Sequence, residues 1–342
     1  MPNHDLPSAP SRWQVMTAFA AVYLIWGSTY LGIRVAIETV PPFLMLAVRF
    51  IVAGVLLYGW ARLRGRAPPA LFHWRSAAIV GGLLLVGGNG GVAWSEQVMP
   101  SSLAALLIAM VPLWMVLLEW LRRGGVRPGA GVIAGLALGF AGVVLLVSPG
   151  KLPGGSHVNP VGALVLILAS LSWAIGSLYS RGARLPASPL LATAMEMLAA
   201  GTLLLVLGFV TREPARLALS SVSLRSFLAL GYLALFGSIV AFTAYIWLLR
   251  VSTPARVSTY AYINPVVAIF LGWALAGEAL TARTLLAAAI VITAVAIITT
   301  RRAHGSPWDR RGVRVHVETD EEAQLVAAPA LMMKASESGP PQ

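Results

Sequence analysis

The sequence predicts an all-α integral membrane protein, with ten transmembrane helices arranged as two inverted five-helix repeats. Three observations carry that prediction. The 342 residues are 58% hydrophobic and only 11% charged, whereas a soluble domain carries about 25% charge. Ten segments reach or approach the about 20 apolar residues needed to cross roughly 30 Å of hydrocarbon. The two halves also match each other. Pro42 to Gly54 and Pro189 to Gly201 align at an offset of 147, which also pairs Leu24, Trp26 and Arg34 with Leu171, Trp173 and Arg181. An offset of 153 pairs Trp94, Val98, Pro112 and Trp120 with Trp247, Val251, Pro265 and Trp273. Internal duplication with polar groups at bilayer depth is the sequence mark of a secondary transporter.

The predicted spans are 13–34, 42–60, 74–95, 101–121, 129–147, 161–180, 189–210, 226–249, 257–277 and 282–300. The first is too long for a removed signal peptide and lacks a small-residue cleavage site, so it stays as a helix. The second begins at Pro42 and carries Arg49; the third holds the run Gly87-Gly-Asn-Gly-Gly; the fourth is interrupted by Pro112. In the fifth, Gly131, Gly135 and Gly139 form a small-residue stripe, suited to close helix packing within the bundle or between two copies in a homodimer. Spans six to ten repeat the pattern, with Glu196 opposite Arg49 and Pro265 opposite Pro112. Lipid offers the backbone no hydrogen-bond partner, so spans of this length are helices and not strands. Because each half has an odd number of spans, the second enters from the opposite side, which makes the repeats inverted.

The expected division is a polar tail at 1–11, a first repeat at 12–149, a second at 157–302 and a tail at 303–342 with an acidic patch at Glu318 to Glu322. Both tails are expected to be disordered. With a cytoplasmic N-terminus, the inside loops hold eleven Arg between Arg62 and Arg256. The outside loops hold Arg34, Lys151, Arg212, Arg216, Arg225 and Arg283. That bias places both termini in the cytoplasm of a multi-pass inner-membrane protein. The net charge of +12 is accounted for by these loops, which argues against nucleic acid as a partner. The chain has no Cys, so disulfide and thiol chemistry are excluded. Neither a phosphate-binding Gly-x4-Gly-Lys-Ser/Thr loop nor a metal-ligand cluster nor a Gly-x-Ser-x-Gly elbow is present, so no cofactor or metal is expected and enzyme chemistry is disfavoured.

Polar groups inside the spans are the candidate site. Arg49 lies seven residues beyond Pro42, about 10 Å into the bilayer at 1.5 Å per residue. Insertion there costs roughly 2.5–3.5 kcal/mol, so it should face protein or water. It either binds an anion through its planar fork or acts in gating, or it is structural, bonded to helix-end carbonyls or snorkelling to the outer surface. Glu196 is read as the one acidic residue deep in a span and so as the proton carrier, or else as a structural carboxyl. Pro112 and Pro265 are expected helix breaks, freeing the carbonyls of Ile108 and Ala261. Asn264 beside the second break and Asn89 in the glycine run are candidate substrate contacts. Trp26, Tyr30, Trp114, Trp173 and Tyr260 lie away from the interfaces where Trp and Tyr usually cluster; they either wall a cavity or pack.

The run Leu24-Ile-Trp-Gly-Ser-Thr-Tyr, Pro41-Pro42 with Arg49, Pro112, and Asn264-Pro265 with Gly277-Glu278 together resemble an EamA domain. The chain from about Trp13 to Arg302 is similar to the drug/metabolite transporter superfamily, EamA type. One departure is visible: the Gly-Glu that should follow Pro112 by about 13 residues is absent, and Gly125 stands there. The resemblance implies an exporter or exchanger of small metabolites or drugs, working by alternating access on a proton or substrate gradient, with a cavity lined by helices 1 to 4 and 6 to 9. Its rivals are an uptake permease or flippase for a sugar or lipid-linked metabolite on the same fold and, in another class, a membrane enzyme or receptor without flux.

Overall fold

The computed structural model describes residues 11–122, 127–147, 158–252, 257 and 259–305. The predicted terminal tails, Lys151 and Gly125 fall wholly or largely outside this set. The α-helices among the described residues are α1 (Arg12–Ala36), α2 (Pro42–Leu63), α3 (Leu71–Gly81), α4 (Gly91–Ser95), α5 (Ser101–Ile108), α6 (Val111–Leu121), α7 (Ala130–Val147), α8 (Pro160–Ser180), α9 (Pro189–Val210), α10 (Leu224–Tyr232), α11 (Ala241–Val251), α12 (Tyr260–Ala276) and α13 (Ala282–Gly305). No strand occurs among the described residues.

Among the described residues seven helices are long and apolar enough to cross a membrane: Arg12–Ala36, Pro42–Leu63, Leu71–Ser95, Ser101–Leu121, Pro160–Ser180, Pro189–Val210 and Leu224–Tyr245. Ala130–Leu146, Ile263–Ala276 and Ala282–Ile298 are shorter apolar helices. The chain is an all-helical membrane protein.

Local chemistry sets the helix starts. Ser11 and Gln14 form a capping box at α1, and the Asn159 side chain accepts from Val161 and Gly162 at the start of α8. Proline occupies the first turn of α2, α6, α8 and α9, where its missing N–H costs nothing. Pro112 divides its span, with α5 and α6 separated at Ala109 and Met110. Pro265 does not: it lies inside a continuous α12. The expected second break is therefore absent, because the bond Pro265 cannot make is to Ala261, in the first turn of α12, and the ladder beyond it is intact.

α2 and α9, which carry the two repeat-related charges, cross in the core through reciprocal contacts. A Cβ on Gly54 would lie 2.8 Å from Leu198 Cγ and 3.1 Å from the Ala194 carbonyl, and one on Gly201 would lie 2.7 Å from Ile51 Cγ1 and 3.3 Å from the Ala47 carbonyl. Each of these contacts maps onto the other at the offset of 147. Residue i meeting j while the equivalent of j meets the equivalent of i is what a two-fold axis produces. The register is antiparallel.

A second matched pair lies outside this crossing. Gly82–Gly90, joining α3 to α4, and Leu233–Val240, joining α10 to α11, are both π-helical. π segments widen the helix and leave backbone groups differently paired, and they are frequent at functional positions. Two glycines of the predicted α7 stripe meet neighbouring helices, Gly135 at Ile298 and Gly139 at Leu113 and Ala294, as does Gly142, outside the stripe, at Ile290 and Val291.

One end of the bundle is tied by side chains bonded to helix termini. Glu213, 1% exposed, accepts from the Phe43 and Leu44 N–H groups at the start of α2. Glu278 accepts from Ser101 N and Oγ at 2.7 Å and from Ser102 N at 3.0 Å, capping α5. Arg34 donates to the carbonyls of Glu96 and Met99, and Arg283 to those of Leu145 and Leu146 at the end of α7. Carboxylates at helix N-termini and guanidinium groups at C-termini complement the helix dipoles. Arg225 pairs with Glu38. These bonds give Arg34, Arg225 and Arg283 structural partners among the described residues. Removing the Glu213 cap (Glu213→Ala) should lower stability by about 1–3 kcal/mol, read as a lower melting midpoint in detergent, with Glu213→Gln losing less. A Glu213→Ala melting curve that overlays the parent would show that the cap supports nothing.

Candidate functional site

Arg49 is 5% exposed. Its Nε donates to Ser238 Oγ at 2.9 Å, and its Nη1 is buried without a partner. The Gly237 Cα faces the guanidinium closely enough that a Cβ there would be 3.0 Å from Nη2. The π segment between α10 and α11 thus forms the wall against which Arg49 lies. Glu196 occupies the equivalent place on α9: its main-chain carbonyl abuts Gly81, where α3 passes into the other π segment. The two charges do not pair; Arg181–Glu119 and Arg225–Glu38 are the ion pairs recorded among the described residues. They flank the glycine crossing, each five residues from its glycine and about 7.5 Å apart along the helix axes.

Trp26 joins Arg49 at the same π segment. Its Nε1 donates to the Gly237 carbonyl at 3.1 Å, and its ring packs on Phe242, Tyr245 and Tyr260 at centroid separations of 6.0, 5.1 and 5.2 Å. Asn264 is 7% exposed with Oδ1 unpartnered, and its carbonyl lies beside Gly27 of α1. Tyr30 is partly buried against the core, one turn beyond Trp26 on α1.

The other predicted residues lie elsewhere. Trp114 donates to Ser170 Oγ at 2.9 Å and packs on Phe140. Trp173 lies against Gly88, and Ser172 beside it donates to the Leu83 carbonyl of the first π segment. Asn89 is half-buried in that segment. Arg49, Trp26 and Tyr260 therefore belong to one wall, while Trp173 and Asn89 belong to its repeat-related counterpart and Trp114 stands with Ser170.

Reasoning from the sequence missed Glu96. It sits one residue past a span and reads as a helix end, yet it is fully buried with both carboxylate oxygens unpartnered. Ser238, the bonding partner of Arg49, was missed too, since nothing in the sequence distinguishes one hydroxyl in an apolar helix from another.

A helical bundle with long apolar spans, repeat-related buried charges and paired π segments defines a polytopic membrane protein of the transporter class. A model of the EamA-like transporter family matches residues 13–148 and again 160–300. The chain belongs to that family, as the sequence resemblance implied. It is 44% identical over 283 residues to a protein of Escherichia coli (strain K12) named uncharacterized inner membrane transporter YedA, covering 82% of this chain and 89% of that one. It is 26% identical over 276 residues to protein PecM of Dickeya dadantii (strain 3937), covering 80% and 88%. A solved crystal structure shares the fold, with a TM-score of 0.57 and 22% identity, covering 85% of this chain and 98% of that one.

Proposed function

We propose that this chain is a multi-pass inner-membrane secondary transporter that exports or exchanges a small metabolite or drug bearing an anionic group. It has ten membrane-crossing helices in two inverted repeats and works by alternating access. The observation that carries this reading is the Arg49 guanidinium: a buried cation with one nitrogen unpartnered, bonded to Ser238 and lying against Gly237, the residue whose carbonyl also receives the Trp26 indole. A guanidinium in that state costs free energy unless a carboxylate, phosphate or similar anion completes it. The aromatic rings beside it suit the apolar remainder of a small molecule.

Two features support the inverted-repeat mechanism. The reciprocal Gly54 and Gly201 contacts follow a two-fold relation, and the family match falls in two stretches, one in each half. Repeats that can exchange conformations give two states of similar energy, opening to opposite sides. The Arg distribution supports cytoplasmic termini.

Glu196 is the proposed proton carrier within this layer, placed beside one π segment as Arg49 is beside the other. Replacing it with Gln should abolish uphill transport driven by a pH gradient while leaving substrate-for-substrate exchange in proteoliposomes. Glu196→Gln protein that still concentrates substrate against its gradient sinks the assignment.

A second reading rests on a groove of about 390 Å³ at the bundle surface, lined by Trp60, Ile239, Val240, Thr243, Ala244 and Trp247. Its apolar walls fit a lipid-linked substrate. A flippase would move a fluorescent lipid analogue between leaflets, and a soluble-metabolite exporter would not.

A further inference from the structure

The groups around Glu96 form a second ionisable cluster, separate from the Arg49 and Glu196 layer. Glu96 follows α4 directly and has no exposed surface. From α1, Arg34 and Tyr30 face it; from the turn between α12 and α13, Glu278 does. Arg34 makes no hydrogen bond to the carboxylate; its Nη1 is bonded to the main-chain carbonyl of Glu96 itself. Both oxygens of Glu278 are occupied by the three donors of Ser101 and Ser102. The Glu96 oxygens have no partner at all. Of these two carboxyl groups only Glu278 has donors that reward a charge.

We infer that Glu96 is a proton-binding site and that its occupancy holds the Glu278–Ser101 end of the bundle closed. Burial pushes the Glu96 carboxyl well above the usual carboxylate range, the Glu278 charge pushes it further, and Arg34 opposes them. If the start of α5 parts from Glu278, water reaches Glu96 and the Arg34 guanidinium is freed to face its carboxylate. Both changes favour ionisation, so closing takes up one proton and opening releases it. The sign follows by linkage. The closed form holds its full advantage below the ordinary Glu range and loses it as pH rises through the raised value of the closed state.

By the Arg distribution this end is the outer one, so the proton comes from outside the cell. The inference does not rest on the Arg49 and Glu196 reading, and its test needs no substrate.

Because the chain has no Cys, one reporter cysteine is unambiguous. Leu103, 3% exposed and inside the first turn of α5, becomes reactive only if that end opens. Full-length Leu103→Cys protein in detergent is treated with a charged maleimide between about pH 5 and 8, and labelling is normalised to the same protein unfolded at each pH. Labelling should rise with pH, by up to about tenfold per pH unit for one proton. In the Glu96→Gln background it should stay low and flat, since Gln imitates the protonated acid. Glu96→Asp should keep the rise with a displaced midpoint. The inference is overturned by a flat parent profile or by Glu96→Gln retaining the parent profile. Should Glu96→Gln fail to fold, Glu96→Asp decides: a displaced midpoint supports the inference and an unchanged one overturns it.

Discussion

Replacing Arg49 with Met should abolish substrate binding without weakening the fold. Removing one member of a buried, hydrogen-bonded charge pair costs roughly 2 kcal/mol or more, which is about 30-fold or more in affinity. That loss applies only to the substrate complex. In the free protein the same group is a liability, because its Nη1 is buried without a partner and, among the described residues, the guanidinium is met only by Ser238 Oγ and the Phe50 ring. A buried charge lacking compensation destabilises, and an apolar residue of similar volume is commonly neutral or better. Arg49→Met should therefore melt at or above the parent temperature when no ligand is present. It should also lose the stabilisation that anionic ligands give the parent in a thermal screen, about 2.7 kcal/mol at a hundred times the dissociation constant. Arg49→Lys keeps the charge but not the planar fork, and should bind with intermediate strength. The alternative, a structural Arg, predicts the opposite pattern: Arg49→Met would melt lower and the ligand response would be set by other residues.

Filling the glycine crossing should damage the fold more than any surface change. Gly201→Leu would force its Cβ to 2.7 Å from Ile51 Cγ1 and 3.0 Å from the Ile51 main-chain nitrogen. Backbone cannot rotate away as a side chain can. Overpacking of this kind costs about 1–3 kcal/mol and sometimes more, against about 1 kcal/mol gained from replacing Gly in a helix. The reciprocal geometry adds a sharper test. Ile51→Ala should partly rescue Gly201→Leu, and Leu198→Ala should partly rescue Gly54→Leu by a similar amount, measured as recovery of monodisperse protein and of melting temperature. Coupling of about 0.5–3 kcal/mol is expected for residues in contact. Rescue in one pair but not the other would mean that the two-fold relation is not carried through to energetics.

The distribution of roles among the acidic residues shows where reading along the chain stops being sufficient. Position relative to a span end marks Glu196 as deep and Glu96, Glu213 and Glu278 as peripheral. In space, Glu96 and Glu213 are more completely buried than Glu196, at 0% and 1% against 9%. The reason is that loops and helix ends fold back over one another at that end of the bundle. Glu213 and Glu278 are then used up as helix caps, while Glu96 is not. Pro112 and Pro265 make a similar point. They are equivalent in the repeat, but the first separates α5 from α6 and the second lies within α12, because the outcome depends on how much intact ladder surrounds each one.

What the sequence determined by itself is whatever depends on composition, period and repetition. Apolar length sets the helices, because lipid leaves the backbone no other partner. The offset of 147 brings Arg49 and Glu196, and Gly54 and Gly201, into correspondence. The family motifs lie in the same stretches. What only the tertiary structure decided is which polar atoms find partners. Arg49 meets Ser238 across nearly two hundred residues of chain, Arg34 bonds the carbonyl of Glu96 and leaves its carboxylate alone, and Trp26 ends on Gly237. Those pairings depend on how helices rotate and cross, through contacts as short as a missing Cβ permits, and no linear pattern encodes a rotation angle.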